Sequence, residues 1–263
     1  MVTSYGHVTN ILRMMKPLRV SPRQDPVHAQ FTCGCGKAPG IPMSPALSVH
    51  QHEELAPGRG RRQQVTRALE QLHTGRPIVI GHRDHCAVAV LAGAASTESI
   101  AFLVREGSGL VTVAMPRARL DTLEIPRIGA DPGSRSANAH VAVDAATGVG
   151  TGISAADRAE TIRRLADPRS RPSTFTRPGH VILVAADLVP HTPPGMPEVA
   201  LMLGASSAAP TPAVAFCALT SPVDPCTIAD ATGGADFAAR TGLAYVSGQE
   251  IIRDFYCELP AAI

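Results

Sequence analysis

From about residue 61 onward, hydrophobic positions alternate between two periods. Val65, Ala68, Leu69 and Leu72 recur at three- and four-residue steps and stop before Gly75, which predicts an amphipathic helix. Pro77-Ile78-Val79-Ile80 reads as a short buried strand, and residues 87–92 form a second apolar run. Thr97 is the expected cap of a helix through Ile100, Phe102, Leu103 and Val104, ended by Gly107. Residues 110–114 predict a strand, with Pro116 in the first turn of the next helix. Residues 140–144 alternate as a strand. Ser154-Ala155-Ala156-Asp157 has the form of a capping box, opening a helix through Ile162 and Leu165 that closes at Asp167-Pro168. Strands are expected at 181–184, 213–219 and 244–246, with helices at 198–203 and 235–240. A last helix through Ile251, Ile252 and Phe255 is capped by Ser247 and Glu250. This alternation predicts one α/β (α+β) domain, a mixed β-sheet flanked by helices.

Residues 1–60 look different. They are rich in Pro, Gly, His and Gln with weak periodicity, and read as a partly disordered extension before a domain at 61–258 and a tail at 259–263. The basic run Pro57-Gly58-Arg59-Gly60-Arg61-Arg62 is expected to be a solvated linker. Cys33-Gly-Cys35, with His28, His50 and His52, could hold a metal, but the spacing matches no common zinc pattern. The plainer reading is a tail with exposed thiols.

Charge narrows the function. The 263 residues carry 24 basic and 22 acidic side chains, and only Lys16 and Lys37 are lysines. With no tryptophan and 3% aromatics, the chain lacks both the basic footprint and the stacking platforms of a nucleic-acid binder. No signal-peptide run and no membrane-length apolar segment occurs, so a cytoplasmic protein acting on a small molecule is expected. The six cysteines show no paired CxxC arrangement.

Three stretches carry a resemblance. Gly148-Val149-Gly150-Thr151-Gly152-Ile153-Ser154-Ala155-Ala156-Asp157-Arg158 is similar to the T-T-G-[IV]-S-A-A-D-R segment of 3,4-dihydroxy-2-butanone 4-phosphate synthase. Arg177-Pro178-Gly179-His180-Val181 resembles that family's R-P-G-H-V, and Arg105-Glu106-Gly107-Ser108-Gly109-Leu110-Val111 its R-H-G-S-G-[IL]-V. The likeness runs from about residue 61 to 256. It implies a mixed α/β domain, a homodimer with active sites near the interface, and a magnesium-dependent conversion of ribulose 5-phosphate to a four-carbon riboflavin precursor and formate. Such chemistry needs carboxylates as proton shuttles and a metal for the enediolate oxygens.

The family's acidic loop, D-D-E-D-R-E-N-E-G-D-[LM], is not kept. This chain reads Gly81-His82-Arg83-Asp84-His85-Cys86-Ala87, about four residues shorter, and only Asp84 is acidic. The motif R-[AG]-G-H-T-E-A aligns with Pro193-Pro194-Gly195-Met196-Pro197-Glu198-Val199. The phosphate arginine is thus Pro193, the metal histidine Met196 and the threonine Pro197. A thioether is a poor ligand for magnesium, which takes oxygen. The catalytic glutamate of C-E-[LI] becomes Ala218, and the first T-T-G threonine is Gly150. No metal and no cofactor is therefore expected, the ancestral magnesium site having been lost.

His180, His85, Asp84 and Cys86 are the candidate catalytic groups. His82, Arg83, Thr151, Arg177, His191, Met196 and Cys217 are the candidates for substrate binding, expected to converge near His180. Histidines in place of carboxylates suit proton transfer near neutral pH. Each has a plainer alternative: His82 and His85 as a polar strand end, Cys86 and Cys217 as buried small hydrophobes, His180 as a satisfied structural histidine. The composite reading is a repurposed, metal-independent acid/base enzyme performing a cyclisation, isomerisation or lyase step on a specialised metabolite. A non-catalytic binding module of the same fold and a genuine synthase of the family are the alternatives.

Overall fold

The computed structural model describes residues 59–128, 138–190 and 192–258. The N-terminal cysteine and histidine cluster, His191 and residues 259–263 lie outside them.

Helix α1 (Arg59–His73) buries Val65, Ala68 and Leu72, the three- and four-step positions of its sequence. It starts at Arg59, inside the run expected to be a linker. Gly75 ends the turn at φ +73°, where a Cβ would meet the carbonyl oxygen of Ala94 at 2.7 Å. Strands β1 (Ile78–His82) and β2 (His85–Leu91) form a hairpin in which His82 faces His85. Helix α2 (Thr97–Glu106) follows; its cap is Ser96 rather than Thr97, because Ser96 and Ser99 exchange side-chain bonds to each other's amides.

Strand β3 (Thr112–Pro116) begins two residues later than periodicity indicates, at the point where Thr112 pairs with Ile182. Pro116 closes this strand and precedes α3 (Arg117–Thr122). The remaining elements are β4 (Ala139–Ala145), α4 (Ala155–Ala166), β5 (Phe175–Ala186), α5 (Met196–Ser206), β6 (Val214–Ala218), α6 (Ala231–Thr241), β7 (Tyr245–Ser247) and α7 (Gly248–Glu258). At α7 the expected box closes, with Ser247 Oγ accepting from the Glu250 amide at 3.2 Å and Glu250 Oε2 accepting from the Ser247 amide.

The seven strands make one mixed sheet in the order β4-β5-β3-β6-β2-β1-β7. One face packs on α2, α3, α4 and α6 through Ile100, Leu103, Leu120, Ile162 and Phe237. The other packs on α1, α5 and α7 through Leu72, Val199, Met202 and Phe255. Central strands covered on both faces read as unbroken apolar runs, which is why β2 shows no alternation. No helix among the described residues is long and apolar enough to cross a membrane.

Candidate active site

At the sheet edge, β4 and β5 pair irregularly, with register shifts on either side of Val143. There one carboxylate clamps one histidine twice. Asp144 Oδ1 accepts the backbone N–H of His180 at 3.0 Å, and Asp144 Oδ2 lies 2.8 Å from His180 Nδ1. A carboxylate can only accept, so Nδ1 carries a proton, and in the neutral ring Nε2 is the nitrogen with the lone pair. The Asp144 side chain is 11% exposed and that of His180 44%, so a buried anion steers a ring whose other edge meets solvent.

Two glycines make this contact possible. A Cβ on Gly152, at φ +81°, would sit 2.1 Å from Asp144 Oδ2. One on Gly179 would sit 2.1 Å from the carbonyl carbon of Val143 and 2.2 Å from the Asp144 nitrogen. Asp157 completes the arrangement in an unexpected way. Ser154 Oγ does cap α4 by accepting the Asp157 amide at 3.0 Å, but the Asp157 carboxylate takes the Gly152 amide at 3.0 Å instead of the cap amide. It therefore holds the glycine loop against Asp144. Arg158 reaches back to the carbonyl of Gly109 at 3.5 Å, tying the 148–158 stretch to the 105–111 stretch. Thr151 is exposed on the same loop.

Arg177 bonds to the backbone of its own chain. After a cis peptide to Pro178, its guanidinium donates to the carbonyls of Leu123 (2.6 Å), Phe175 (3.3 Å) and Pro172 (3.4 Å). These bonds brace the chain around the start of β5, and Arg177 Nε is left buried without a partner.

The remaining candidates sit on another part of the sheet. His82 and His85 flank the turn Arg83-Asp84, with Arg83 at φ +53° and Arg83, Asp84 and His85 exposed. His82 Nε2 donates to the Pro194 carbonyl at 2.9 Å, and Arg83 Nη2 to the Pro193 carbonyl at 3.1 Å. His82 Nδ1 is buried without a partner, against Gly248, where a Cβ would come within 2.3 Å of it. Three strand spacings separate β5 from β2 and four separate it from β1, about 14 and 19 Å. The expected convergence on His180 therefore fails within one chain, because β3 and β6 intervene. Both groups do lie toward the same end of the sheet.

Cys86 and Cys217 are buried. Cys86 is 1% exposed and its Sγ donates to the Asp230 carbonyl at 3.1 Å. Burial, and secondarily the Asp230 charge, push its thiol up to about 11, the opposite of what a nucleophile needs. Cys217 is 1% exposed, 3.3 Å from Ser108 Oγ, and packs in the core. Met196 packs with the α1, α5 and α7 core. Asp144 is the partner of His180 that the sequence alone does not single out. Its only signal was an acidic residue ending an alternating strand just before a glycine-rich loop.

The residues present do not fit the magnesium that the resemblance implies. That hard cation needs several oxygens on one side. At the hairpin tip and the start of α5 the side chains are an exposed aspartate, a core-packed thioether, an imidazole bonded to a carbonyl, and Glu198, whose Oε2 accepts the Gly195 amide at 2.9 Å. Among the described residues no three histidine, cysteine or carboxylate groups cluster as a metal site.

Comparisons with known proteins agree with the fold and the motifs. The family model for 3,4-dihydroxy-2-butanone 4-phosphate synthase matches residues 66–254. The riboflavin biosynthesis protein RibBA of Mycobacterium marinum is 36% identical over 73% of this chain and 46% of its own length. That of Salinispora arenicola is 39% identical over 46% of this chain and 30% of its own length, so the chain spans under half of these curated relatives. Among solved structures, the 3,4-dihydroxy-2-butanone 4-phosphate synthase of Candida albicans aligns at a TM-score of 0.64 and 28% identity, covering 72% of this chain and 96% of that one. A synthase solved with two magnesium ions shares the fold at a TM-score of 0.66 and 24% identity, over 74% of this chain and 97% of that one. With three motifs in order on the matching elements, the chain belongs to the 3,4-dihydroxy-2-butanone 4-phosphate synthase family.

Proposed function

We propose that this chain is a repurposed member of its family: a cytoplasmic acid/base enzyme that works on a small specialised-metabolite carbonyl compound without a divalent metal. The observation that carries this reading is the His180–Asp144 pair, kept and braced while the groups aligned with the family's metal motifs bond elsewhere. His180 Nε2 takes a proton from the carbon beside a carbonyl. The C–H electron pair becomes the enolate, and the Nδ1–H bond to Asp144 steadies the imidazolium that forms. Return of the proton at another carbon or oxygen gives an isomerisation, and expulsion of a group gives a lyase step. The Thr151 hydroxyl, exposed beside Gly152, is the donor we assign to the substrate oxygen. A positioned acid/base of this kind contributes roughly 10²- to 10⁴-fold in rate.

A homodimer belongs to the same proposal. Continuing the β3–β5 register places Leu110 beside His180, and Leu110 and Ile153 are 60% and 56% exposed next to the pair. A second copy would cover them, and light scattering of the purified chain tests this: a dimer is expected, a monomer contradicts it.

Solvent-deuterium exchange tests the chemistry. Hydroxyacetone, dihydroxyacetone, ribulose and ribulose 5-phosphate are incubated in D2O with the wild-type chain and EDTA, and α-proton loss is followed by NMR. We expect exchange above buffer with at least one ketone, abolished in His180→Ala. No exchange with any of them removes the reading, and magnesium-dependent formate release from ribulose 5-phosphate assigns the family reaction in its place.

A further inference from the structure

We infer that Thr161, wholly buried near the middle of α4, is a positioning residue of the His180–Asp144 pair: its hydroxyl fixes the strand that carries the carboxylate. The kinetic consequence rests on the function just proposed; the hold on Asp144 stands on geometry alone.

The ladder around Asp144 does not supply such a hold. Register shifts lie on both sides of Val143, so the pairing with β5 is irregular immediately before the carboxylate. β4 is also the last strand on its side of the sheet. The Ala146 amide donates inward, to the Thr174 carbonyl at 2.8 Å. Alternation along an antiparallel strand then turns the Ala145 amide outward, away from β5. On an edge strand such an amide ordinarily goes to water, yet Ala145 is buried. Its partner is Thr161 Oγ1 at 2.9 Å, an acceptor brought across from the helix.

The hydroxyl is itself held in one orientation. Thr161 Oγ1 donates its proton to the Asp157 carbonyl one turn back, at 3.0 Å, which leaves its lone pairs for the Ala145 amide. Asp157 is in turn the residue whose carboxylate takes the Gly152 amide, and Gly152 presses on Asp144 Oδ2. Helix α4 therefore grips Asp144 from two directions, through the amide of the next residue in the chain and through the glycine against its carboxylate. Both bonds to His180 end on that one side chain, so a loosened β4 weakens both. Without a carboxylate fixed on Nδ1, the neutral ring can carry its proton on either nitrogen, and Nε2 is a base for only part of the time.

The test uses the full chain and separates the hydroxyl from the packing. Thr161→Val keeps the shape and removes the hydroxyl, whereas Thr161→Ser keeps the hydroxyl and removes a buried methyl group. Ile162→Val, which trims the neighbouring core residue, controls for lost stability. Proton–nitrogen correlation spectra of the neutral His180 ring report which nitrogen holds the proton, and deuterium exchange of the ketones named above reports the base. We expect wild type and Ile162→Val to show the Nδ1–H tautomer. Thr161→Val should show a mixture of the two tautomers and exchange at least about tenfold more slowly. Thr161→Ser should recover the tautomer and most of the rate. A wild-type ring with its proton on Nε2 overturns the inference. So does a Thr161→Val chain that keeps the wild-type tautomer or rate, or a Thr161→Ser chain that loses the tautomer. Should Thr161→Val not fold, Thr161→Cys, whose thiol is a weak hydrogen-bond partner, carries the same expectation. If no ketone exchanges even with the wild-type chain, the acid/base reading has failed, and the tautomers still decide whether Thr161 positions the pair.

Discussion

The β4–β5 edge and the β1–β2/α5 corner lie at the same end of one sheet, and the family motifs are matched closely at the first and loosely at the second. At the edge, Gly152, Asp157, Arg177, Gly179 and His180 stand as in the motifs, and together they aim one imidazole. At the corner, the turn Arg83-Asp84 stands where the resemblance puts an acidic loop, and a proline-rich turn bonded to it stands where the resemblance puts the second motif. The difference teaches which residues of a motif are scaffold. Backbone contacts too close for any Cβ leave no room for change, whereas an exposed turn tolerates new side chains.

The largest effect is expected at the edge. Gly179→Ala drives a Cβ into the Val143 and Asp144 backbone and should cost 3 kcal/mol or more, on the order of the most disruptive single substitutions, read as loss of a folded Tm by circular dichroism. A near-normal Tm would show that β4 can shift, and that the bulge does not fix Asp144.

Removing the ring rather than its support separates activity from stability. His180→Ala should lower deuterium exchange by at least about 10²-fold. Its Tm should move by only a few degrees, since the ring is half exposed. Asp144→Asn should retain part of the rate and change its pH profile, because the amide can still accept the His180 amide bond but no longer balances an imidazolium.

Cysteine chemistry gives a third test, on the corner side. With its thiol pushed up to about 11, Cys86 should alkylate at pH 8 at least about 100-fold more slowly than exposed Cys226. The same shift has a sign for stability. The folded thiol stays protonated while the unfolded one ionises near its ordinary value, so the stabilisation is complete below about pH 9 and is lost as pH rises toward about 11. Cys86→Ser should flatten that alkaline decline in urea midpoints.

The smallest effect belongs to Arg83→Gly, which relieves the positive φ and gives up one bond to Pro193; the net change should lie within about 1 kcal/mol. A loss of several kcal/mol would make the hairpin fastening a stability element comparable to the edge.

Much of the fold was legible because it follows from period and punctuation. The Val65–Leu72 stripe, the stop at Gly75, the Ser154 cap and the Ser247–Glu250 box all appear where local chemistry puts them. Errors arose where distant pairing overrode local signal. Leu110 looks like a strand residue, but the β3 ladder with β5 starts at Thr112. Asp157 looks like a box partner, but Gly152 bends back within its reach. At the site, His180 was legible as a motif residue. Asp144 was not, since 36 residues separate it from His180 and only the irregular β4–β5 pairing brings them together.

By itself the sequence determined the family and the order of the elements, because residue identity and local periodicity carry that information. Tertiary structure decided which surviving groups act together. It joined Asp144 to His180, set His82 and Arg83 on the proline carbonyls at the far side of the sheet from that pair, and buried Cys86. Distances across a sheet depend on strand order, and strand order is fixed by packing of the whole core rather than by any one segment.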